Sequence, residues 1–579
     1  MNIRFGLRPE NYKLTTGNFW TFDPASVDTF GTSIAVSAGR GDWAAIQAVI
    51  TCDEDYVLNV GDAAWFSQKG ELPVLRLAAK TNAPIAVGLN ILDMHADDDR
   101  LYKADAILTN PVLELPRGEV RAVWCELSVP ADTAPGIYTV ALSLYQGSML
   151  NAETKIADAE ITLEVLDYTM PVPSEHKFHL DLWQHCSNIA RKHETPLWSD
   201  AHFAVLEQYV RSLGELGQKA VTLIVSEIPW SGQSCYDEYR MAANLFEYSI
   251  IPVTRHTDGT FAYDYSKMQR YIDLCKKYGI DREISLYGLA NIWGSSDRGF
   301  NKPAPDYPDG IRLRYLDETD GAYKYMSSAA DIDAYISALE QYFITTGQME
   351  KVRLAADEPG DIEAYRASLS HLMQIAPSFK CKAAINHAEF VEAFKDEVYD
   401  FVPYIGSLSS EYDKLCEYKR TMQGKRFLWY VCCGPEFPNT FVGSNLVESW
   451  FIGVLTSYAG LDGFLRWDYT VWNDDPRKDI RYGTFRAGDT NFVYPAANGV
   501  PLLTLRYKAL KRGIQLYELL ERLREKDPAA LDEAYAFVVR ERDIRQYYAT
   551  YHSLEDMCST NPDDYTAMKK FIIGKLNEK

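Results

Sequence analysis

The pattern of hydrophobic and polar residues changes along the chain, and its first third has the pattern of a β-rich domain. From Ile34 to Leu166, short runs rich in β-branched and aromatic residues alternate with clusters of turn-forming residues. Several short strands without a helical period are typical of a sandwich, so we predict an N-terminal β-sandwich domain over residues 1–169. The next six residues, MPVPSE, contain two prolines that cannot join a central ladder, and we predict a linker there.

The middle of the chain has a different pattern, in which β-rich runs alternate with amphipathic helical stretches. About eight such repeats predict a (β/α)8 TIM-like barrel over residues 176–500. A doubly wound open sheet is the alternative, and the absence of a Gly-rich phosphate fingerprint after any run argues against it. The eight runs are KFHLDLW (177–183), KAVTLIVSE (219–227), EISLYGLAN (283–291), KVRLAADEP (351–359), KAAINH (382–387), YIGSL (404–408), RFLWYVCC (426–433) and GFLRWDY (463–469).

Two segments fall outside this repeat. The connection between the second and third runs is long, and residues 235–261 predict a subdomain or lid within it. Beyond Tyr494 the apolar spacing becomes helical and charges are abundant. We therefore predict a C-terminal helical segment, residues 501–579, packed on the side of the barrel.

Composition narrows the classes of partner. The 579 residues include 59 basic and 81 acidic side chains, a net charge of -22. Such a surface repels phosphate backbones, so we expect neither a nucleic-acid partner nor an anionic membrane. Aromatic residues make up 13% of the chain, with 38 Tyr and 12 Trp. Flat amphipathic rings suit large cores and also clefts that hold polar ligands with apolar faces, such as sugars.

The sequence also predicts a cytoplasmic location. The N-terminus, MNIRFGLRPENYKL, has no apolar run after its positive residue, and no stretch reaches the ~18 apolar residues of a membrane span. The ten cysteines are scattered and form no CxxC pair. We interpret them as reduced, mostly buried thiols. No oligomeric state follows from the sequence.

The candidate chemistry lies at the end of the fourth run, in Asp357-Glu358-Pro359. Side chains alternate along a strand, so adjacent carboxylates address one ligand only where the strand ends. Pro359 marks such an end, and it biases Glu358 towards extended backbone. The active site of a barrel lies at this edge, and paired carboxylates there fit glycoside hydrolysis, which needs a proton donor and negative charge beside an oxocarbenium-like centre. A solvated loop or a helix N-cap is the alternative.

Other strand ends carry candidate substrate-binding residues. Rings there would stack on a sugar, and Asp, Asn and His side chains would bind its hydroxyl groups. The alternative is that the rings cap the barrel core and that each His is a satisfied structural group. The candidates are Trp183, His185, Asn291, Trp293, Asn386, His387, Trp429, Tyr430, Trp467, Asp468, Tyr469 and Trp472.

Other chemistries find less support in the sequence. It contains no HExxH motif and no paired Cys ligand set, so we expect no metal site. It also contains no GxSxG elbow and no P-loop. We therefore predict that the protein uses no cofactor.

Three segments resemble glycoside hydrolase family 123, the bacterial β-N-acetylgalactosaminidases, and the wider group known as domain of unknown function 4091. VWCELSVPADTAPGIYTVALSL (123–144) is similar to the family's N-terminal sandwich domain. LAADEPGD (354–361) is similar to its catalytic Asp-Glu motif. GFLRWDYTVWNDDP (463–476), followed by residues 492–520, is similar to its distal signature.

The resemblance implies a retaining exo-glycosidase whose substrate assists its own hydrolysis. The 2-acetamido oxygen of the substrate attacks the anomeric carbon, so no enzyme nucleophile is needed. Asp357 would orient the acetamido group and stabilise the oxazolinium-like intermediate. Glu358 would protonate the leaving group and then deprotonate the incoming water, with a small glycan as the substrate.

Two alternatives stay open at this point. A glycosidase of the same fold acting on a different glycoside would need a separate nucleophile, for which Asp468 is the candidate. A carbohydrate-binding protein without catalytic activity is the second alternative.

Overall fold

The N-terminal third forms two six-stranded sheets in the computed structural model, which describes residues 1–17, 22–62, 72–229, 246–292, 302–422, 424–481, 485–547 and 553–578. The strands are β1 (Ile3–Pro9), β2 (Thr15–Thr16), β3 (Ser33–Arg40), β4 (Trp43–Cys52), β5 (Tyr56–Asn59), β6 (Val74–Thr81), β7 (Ala86–Ala96), β8 (Tyr102–Ile107), β9 (Val112–Leu115), β10 (Val120–Ser128), β11 (Gly136–Gly147) and β12 (Thr154–Thr169). One sheet has the order β1-β4-β10-β7-β8-β2, and the other has the order β3-β12-β11-β6-β5-β9. The structure therefore confirms the prediction that this region is rich in β-strands.

A third sheet, of eight parallel strands, follows a 3-10 turn at Pro173–Glu175. The strands are β13 (His179–Leu182), β14 (Ala220–Ile224), β19 (Glu283–Tyr287), β22 (Val352–Ala356), β23 (Lys380–Ile385), β24 (Val398–Pro403), β25 (Arg426–Tyr430) and β26 (Gly463–Arg466). Their order is β13-β26-β25-β24-β23-β22-β19-β14, so the strands follow one another around the sheet in sequence order and the last, β26, pairs with the first, β13. A parallel bridge between Leu180 and Gln218 joins its two ends, and the sheet nearly closes into a barrel.

The sixth predicted strand was placed wrongly. Residues 404–408, YIGSL, lie at the start of a helix, Ile405–Ser410, and the strand is the preceding segment, Val398–Pro403. A short apolar run does not distinguish a strand from a buried helix. Pro403 was compatible with the strand because it is the last residue of the ladder, opposite Ile385.

Helices alternate with these strands and continue after them. The helices are α1 (Cys186–Lys192), α2 (Asp200–Leu216), α3 (Ser266–Lys277), α4 (Ala329–Thr345), α5 (Ile362–Ile375), α6 (Glu389–Phe394), α7 (Ile405–Ser410), α8 (Tyr412–Thr421), α9 (Leu446–Tyr458), α10 (Leu505–Lys526), α11 (Leu531–Ala536), α12 (Leu554–Met557) and α13 (Pro562–Asn577). Several begin at side-chain caps; Thr504 accepts the N–H of Tyr507 at 3.0 Å at the start of α10. No helix in the described ranges is long and apolar enough to cross a membrane.

A small sheet is built from the long connections after β14 and β19. Its strands are β17 (Val253–Arg255), β18 (Phe261–Tyr263), β20 (Arg314–Asp317) and β21 (Tyr323–Tyr325), in the order β18-β17-β20-β21. Nearby, β15 (Ile228–Pro229) pairs with β16 (Phe246–Glu247). The buried Glu247 accepts the N–H groups of Ser187 (2.9 Å) and Asn188 (3.2 Å), at the start of α1. This insertion is therefore fastened to the loop that follows β13, at the carboxyl end of the barrel.

Helix α10 joins the barrel to the N-terminal sheets. Arg506 is buried and forms an ion pair of 2.8 Å with Asp105, a buried residue of β8. One turn and a half later, the Arg512 guanidinium lies 4.1 Å from the centre of the Trp43 ring. Where α9 and α10 cross, a Cβ atom on Gly453 would lie 1.8 Å from the carbonyl oxygen of Gly513, so only glycine permits this approach.

Candidate active site

Asp357 and Glu358 are the first two residues after β22, at the carboxyl end of the barrel, and both are half-buried. Glu358 has φ = 43°, in the left-handed region, so the expectation of extended backbone before Pro359 was wrong. The backbone N–H of Glu358 donates to the carbonyl oxygen of Ala384 (3.1 Å) and so turns the chain towards β23. Non-glycine residues held in this region concentrate at functional sites, where the surrounding structure imposes them.

The Glu358 carboxylate is held from the ends of two strands, β25 and β23, which β24 separates in the sheet. One oxygen, Oε1, accepts a short hydrogen bond from the hydroxyl group of Tyr430, the last residue of β25. The other, Oε2, lies 3.4 Å from the amide nitrogen of Asn386, which follows β23. The Tyr430 ring is buried and packs against Tyr404, with 5.4 Å between the ring centres. The orientation of this carboxylate is therefore set by a buried phenol and an exposed amide.

Asp357 has a different environment. Its carbonyl oxygen accepts a hydrogen bond from the Asn291 side-chain amide. Asn291 in turn donates its backbone N–H to the buried Asp309 carboxylate at 3.2 Å, and Ile292 donates to the same carboxylate at 2.8 Å. Burial, and secondarily the charge of Glu358, raise the pKa of Asp357 to about 7. The two adjacent carboxyl groups therefore lie in different environments, one half-buried among backbone and amide groups and the other hydrogen-bonded to a phenol.

Below the pair, the interior of the barrel is filled by a buried ionic network. The ammonium group of Lys382 contacts Asp181 and lies 2.6 Å from Glu283. Arg426 reaches the second oxygen of Glu283 at 2.6 Å, so two cations face two carboxylates. In the sequence, these inward-facing groups are marked by charged side chains at alternating positions of the strands. The sequence analysis did not identify them. Because the network is buried, the carboxylate pair is approached from the carboxyl end of the barrel.

Three of the predicted binding residues contact the pair directly, namely Asn291, Asn386 and Tyr430. Trp183 is buried below them and packs on Tyr287, with 4.9 Å between ring centres. His387 is exposed directly after Asn386. Trp293 lies outside the described residues.

The other aromatic candidates are buried in the core. Trp429 donates its indole N–H to Thr456 of α9 at 2.8 Å, and Trp472 donates to the carbonyl oxygen of Val493 at 2.8 Å. The Tyr469 hydroxyl group pairs with Ser212 of α2 at 2.7 Å. All of these rings are at most 5% exposed, so in this structure they pack between the barrel and its helices.

The residues that follow β26 form a buried cluster of their own. Asp468 is fully buried and accepts the N–H groups of Thr470 (3.2 Å) and Val471 (2.9 Å). His185 lies 3.5 Å from Asp468, and burial lowers the pKa of this imidazole to about 3, so it is neutral. The Trp467 indole lies 3.2 Å from Asp489. These groups shape the loop, and they match the structural alternatives for this histidine and this ring.

Sequence reasoning missed Asp309 and Tyr404 as parts of the site. Asp309 lies in the long connection after β19, where no pattern marks a residue that supports Asn291. Tyr404 was assigned to a strand, although it precedes α7 and packs on Tyr430. Among the residues that the structure describes, no group of three or more His, Cys, Asp or Glu side chains is arranged to hold a metal ion.

Adjacent carboxylates at the mouth of a nearly closed parallel barrel, next to hydroxyl and amide donors, form an arrangement that glycoside hydrolysis can use. The chain belongs to family 123 of these enzymes, because the model of the family's catalytic domain matches residues 183–523.

One solved structure shares the fold of the whole chain. A family 123 glycoside hydrolase from Clostridium perfringens, described in a study of glycolipid glycan hydrolysis, superposes with a TM-score of 0.75 at 17% identity over 100% of this chain and 98% of that one. A structure described as a putative glycoside hydrolase from Bacteroides vulgatus gives a TM-score of only 0.32, at 11% identity over 83% of this chain and 78% of that one. No curated protein matches the chain by sequence.

Replacing Tyr430 by Phe tests the bond to Glu358. We expect kcat to fall roughly 10- to 100-fold with little change in KM, because a hydrogen bond to a charged group contributes about 1.5–3 kcal/mol. The steady-state parameters of the purified variant check this expectation. Tyr404→Phe is the matched control, since its ring packs on Tyr430. Wild-type kcat in Tyr430→Phe would contradict the assigned contact.

Proposed function

We propose that the protein is a retaining exo-β-N-acetylgalactosaminidase that uses the 2-acetamido group of its substrate as the nucleophile. The observation that carries this proposal is the unlike environment of two consecutive carboxyl groups. Asp357 has a pKa of about 7, whereas Glu358 is held by Tyr430 and Asn386. A reaction assisted by its own substrate needs one anion and one acid at adjacent positions, and it needs no third carboxylate.

The protonation of the pair is compatible with these two roles. Burial and the charge of Glu358 raise the pKa of Asp357 to about 7, so Asp357 carries a proton below that pH. The reactive form also has one proton, but on Glu358. A substrate acetamido N–H that donates to Asp357 would favour the Asp357 anion and so transfer the proton to Glu358. Substrate binding would thereby create the acid that the leaving group requires.

The chemical steps then follow from the positions of the side chains. Asp357 orients the acetamido group so that its oxygen attacks the anomeric carbon while Glu358 protonates the departing oxygen. Asp357 stabilises the positive charge of the oxazolinium-like intermediate. Glu358, now ionised, takes a proton from water, which opens the intermediate with overall retention of configuration.

Burial argues against Asp468 as a separate nucleophile. Its carboxylate has no exposed surface, and one oxygen accepts two backbone N–H groups. Burial also raises its pKa well above the usual value, which disfavours the anion that a nucleophile requires. The alternative of a glycosidase with an Asp468 nucleophile therefore loses its candidate residue.

The proposed architecture is a β-sandwich over residues 1–169, a TIM-type (β/α)8 barrel over 176–500 and a helical segment over 501–579. Its support is the order of the eight parallel strands, in which sequence neighbours lie side by side with helices between most of them.

A comparison of aryl β-glycosides with the same leaving group tests substrate assistance. We expect the 2-acetamido sugar to be hydrolysed more than about a thousandfold faster than its 2-hydroxyl counterpart, because the intramolecular nucleophile is lost in the latter. Product stereochemistry, followed by NMR, should show retention. Comparable rates on both sugars, or inversion, would contradict the proposal. Glycan binding without turnover of any substrate would favour the carbohydrate-binding alternative.

A further inference from the structure

Two exposed aromatic rings share one hairpin of the small inserted sheet. Within the described ranges, three aromatic side chains are more than 40% exposed, namely Tyr102 (46%), Tyr323 (67%) and Tyr325 (42%). Tyr323 and Tyr325 both lie on β21, two residues apart, and so on one face of the small inserted sheet. Exposed rings that share a face mark interaction surfaces more often than single exposed residues do.

The rings of this face are held in place by the contacts of one arginine side chain, Arg314. The Arg314 guanidinium lies 4.9 Å from the centre of the Tyr323 ring and 5.2 Å from that of Tyr248. Its Nε atom donates to Glu227 at 2.8 Å, and the Tyr325 hydroxyl group donates to the other oxygen of the same carboxylate at 2.6 Å. Glu227 is buried, so one anchored carboxylate fixes both strands of the hairpin. We call Tyr248, Arg314, Tyr323 and Tyr325 the tyrosine platform.

The platform is fastened at the same end of the barrel as the catalytic pair. Glu227 follows the carboxyl end of β14, and Tyr248 donates its backbone N–H to Ser187, after β13, at 2.9 Å. The pair follows the carboxyl end of β22, and only β19 separates β22 from β14 in the sheet. Adjacent strands lie 4.7–4.9 Å apart, so the strands that precede Glu227 and the pair, β14 and β22, are about 10 Å apart along the rim.

We infer that the tyrosine platform is a second sugar-binding subsite, which holds the neutral sugars on the leaving-group side of an oligosaccharide whose terminal residue occupies the catalytic pair. This inference rests on the proposed function. Sugars present C–H faces that pack on aromatic rings, and pre-fixed rings bind them with little loss of side-chain entropy. The charge of Arg314 is already matched by Glu227, so the surface favours an uncharged sugar over an anionic one. The substrate class is therefore an oligosaccharide rather than a simple glycoside.

The test compares two substrates that share a terminal sugar. One is p-nitrophenyl β-N-acetylgalactosaminide, and the other is lactose carrying a terminal β-linked N-acetylgalactosamine. Tyr323→Ala is expected to lower kcat/KM on the trisaccharide about tenfold, mainly through KM, and to leave the aryl glycoside unaffected. Tyr323→Phe keeps the ring and should retain the wild-type value. Tyr102→Ala, which removes an exposed ring elsewhere, is the matched control and should change neither substrate.

Equal losses on both substrates, or no loss on the trisaccharide, would overturn the subsite. If the wild type hydrolyses neither substrate, the proposed function fails, and binding decides the subsite separately. Calorimetric titration of the wild type and Tyr323→Ala with the trisaccharide would then support it through an about tenfold loss of affinity. Unchanged affinity, or no binding by the wild type, would overturn it.

Discussion

Glu358→Gln should abolish hydrolysis of glycosides with sugar or alkyl leaving groups while leaving the fold intact. Glutamine keeps the shape of the side chain and can still contact Tyr430 and Asn386, but it has no proton to donate to the departing oxygen. General acid catalysis contributes about 10²–10⁴-fold, so a loss of this order in kcat/KM is expected. Aryl glycosides with good leaving groups need less protonation and should lose much less. Steady-state rates on both substrate types measure the difference.

The control for Glu358→Gln is Glu363→Gln, an exposed glutamate on α5, which should behave as wild type. Unfolding curves of the two variants should coincide with that of the parent, apart from small shifts. Substantial turnover of an unactivated oligosaccharide by Glu358→Gln would remove this residue from the acid role.

Asp357→Asn should lower the rate by about 10²–10³-fold, the usual cost of losing a group that stabilises charge in the transition state. The loss should extend to activated aryl glycosides, because the attack by the acetamido oxygen is impaired whatever the leaving group. That contrast separates this variant from Glu358→Gln. Asp396→Asn, an exposed carboxylate after α6, is the control. An unchanged rate in Asp357→Asn would rule out the acetamido role.

The pH dependence provides a second measurement for Asp357. With a folded-state pKa of about 7, the pair loses its shared proton as the pH rises through 7, so kcat/KM of the wild type should fall on the alkaline side. The contribution of Asp357 to the free energy of unfolding should also fall as the pH rises. The folded protein binds a proton that the unfolded chain has already lost above pH 4, so this group's contribution is present below pH 4 and disappears by about pH 7. Asp357→Asn should therefore be more stable than wild type above pH 7, with the gain fading towards pH 4.

The sequence predicted the position of the Asp357-Glu358 pair at a strand end better than it predicted the residues that contact the pair. Seven of the eight parallel strands and the location of Asp357 at a strand end follow from hydrophobic patterning and from alternation along a strand, whereas the sixth strand was placed wrongly. The sequence did not show which residues of a strand face the barrel interior and which face the helices. Trp429 and Tyr430 are adjacent and both aromatic, yet Trp429 bonds to Thr456 in the helix layer and Tyr430 bonds to Glu358 in the mouth. Only the paired register of the folded sheet distinguishes them.

Backbone strain was the second feature that the sequence did not reveal. Proline disfavours a left-handed conformation in the residue before it, yet Glu358 adopts one because its N–H bonds to Ala384 on the next strand. Asn291 has a positive φ of 53° for a similar reason, since its backbone bonds to Asp309. These conformations depend on partners 26 and 18 residues away along the chain, which no local pattern encodes.

The ion pair between Asp105 and Arg506 has a consequence for synthesis on the ribosome. The two residues are 401 positions apart, so at 5–20 residues per second Asp105 is made about 20–80 s before its partner. During that interval Asp105 lacks the guanidinium group that it pairs with in the folded protein, and burying its carboxylate without that partner is costly. We therefore expect the N-terminal sheets to pack incompletely until α10 has emerged, and a chain truncated before α10 to expose this surface to chaperones and proteases.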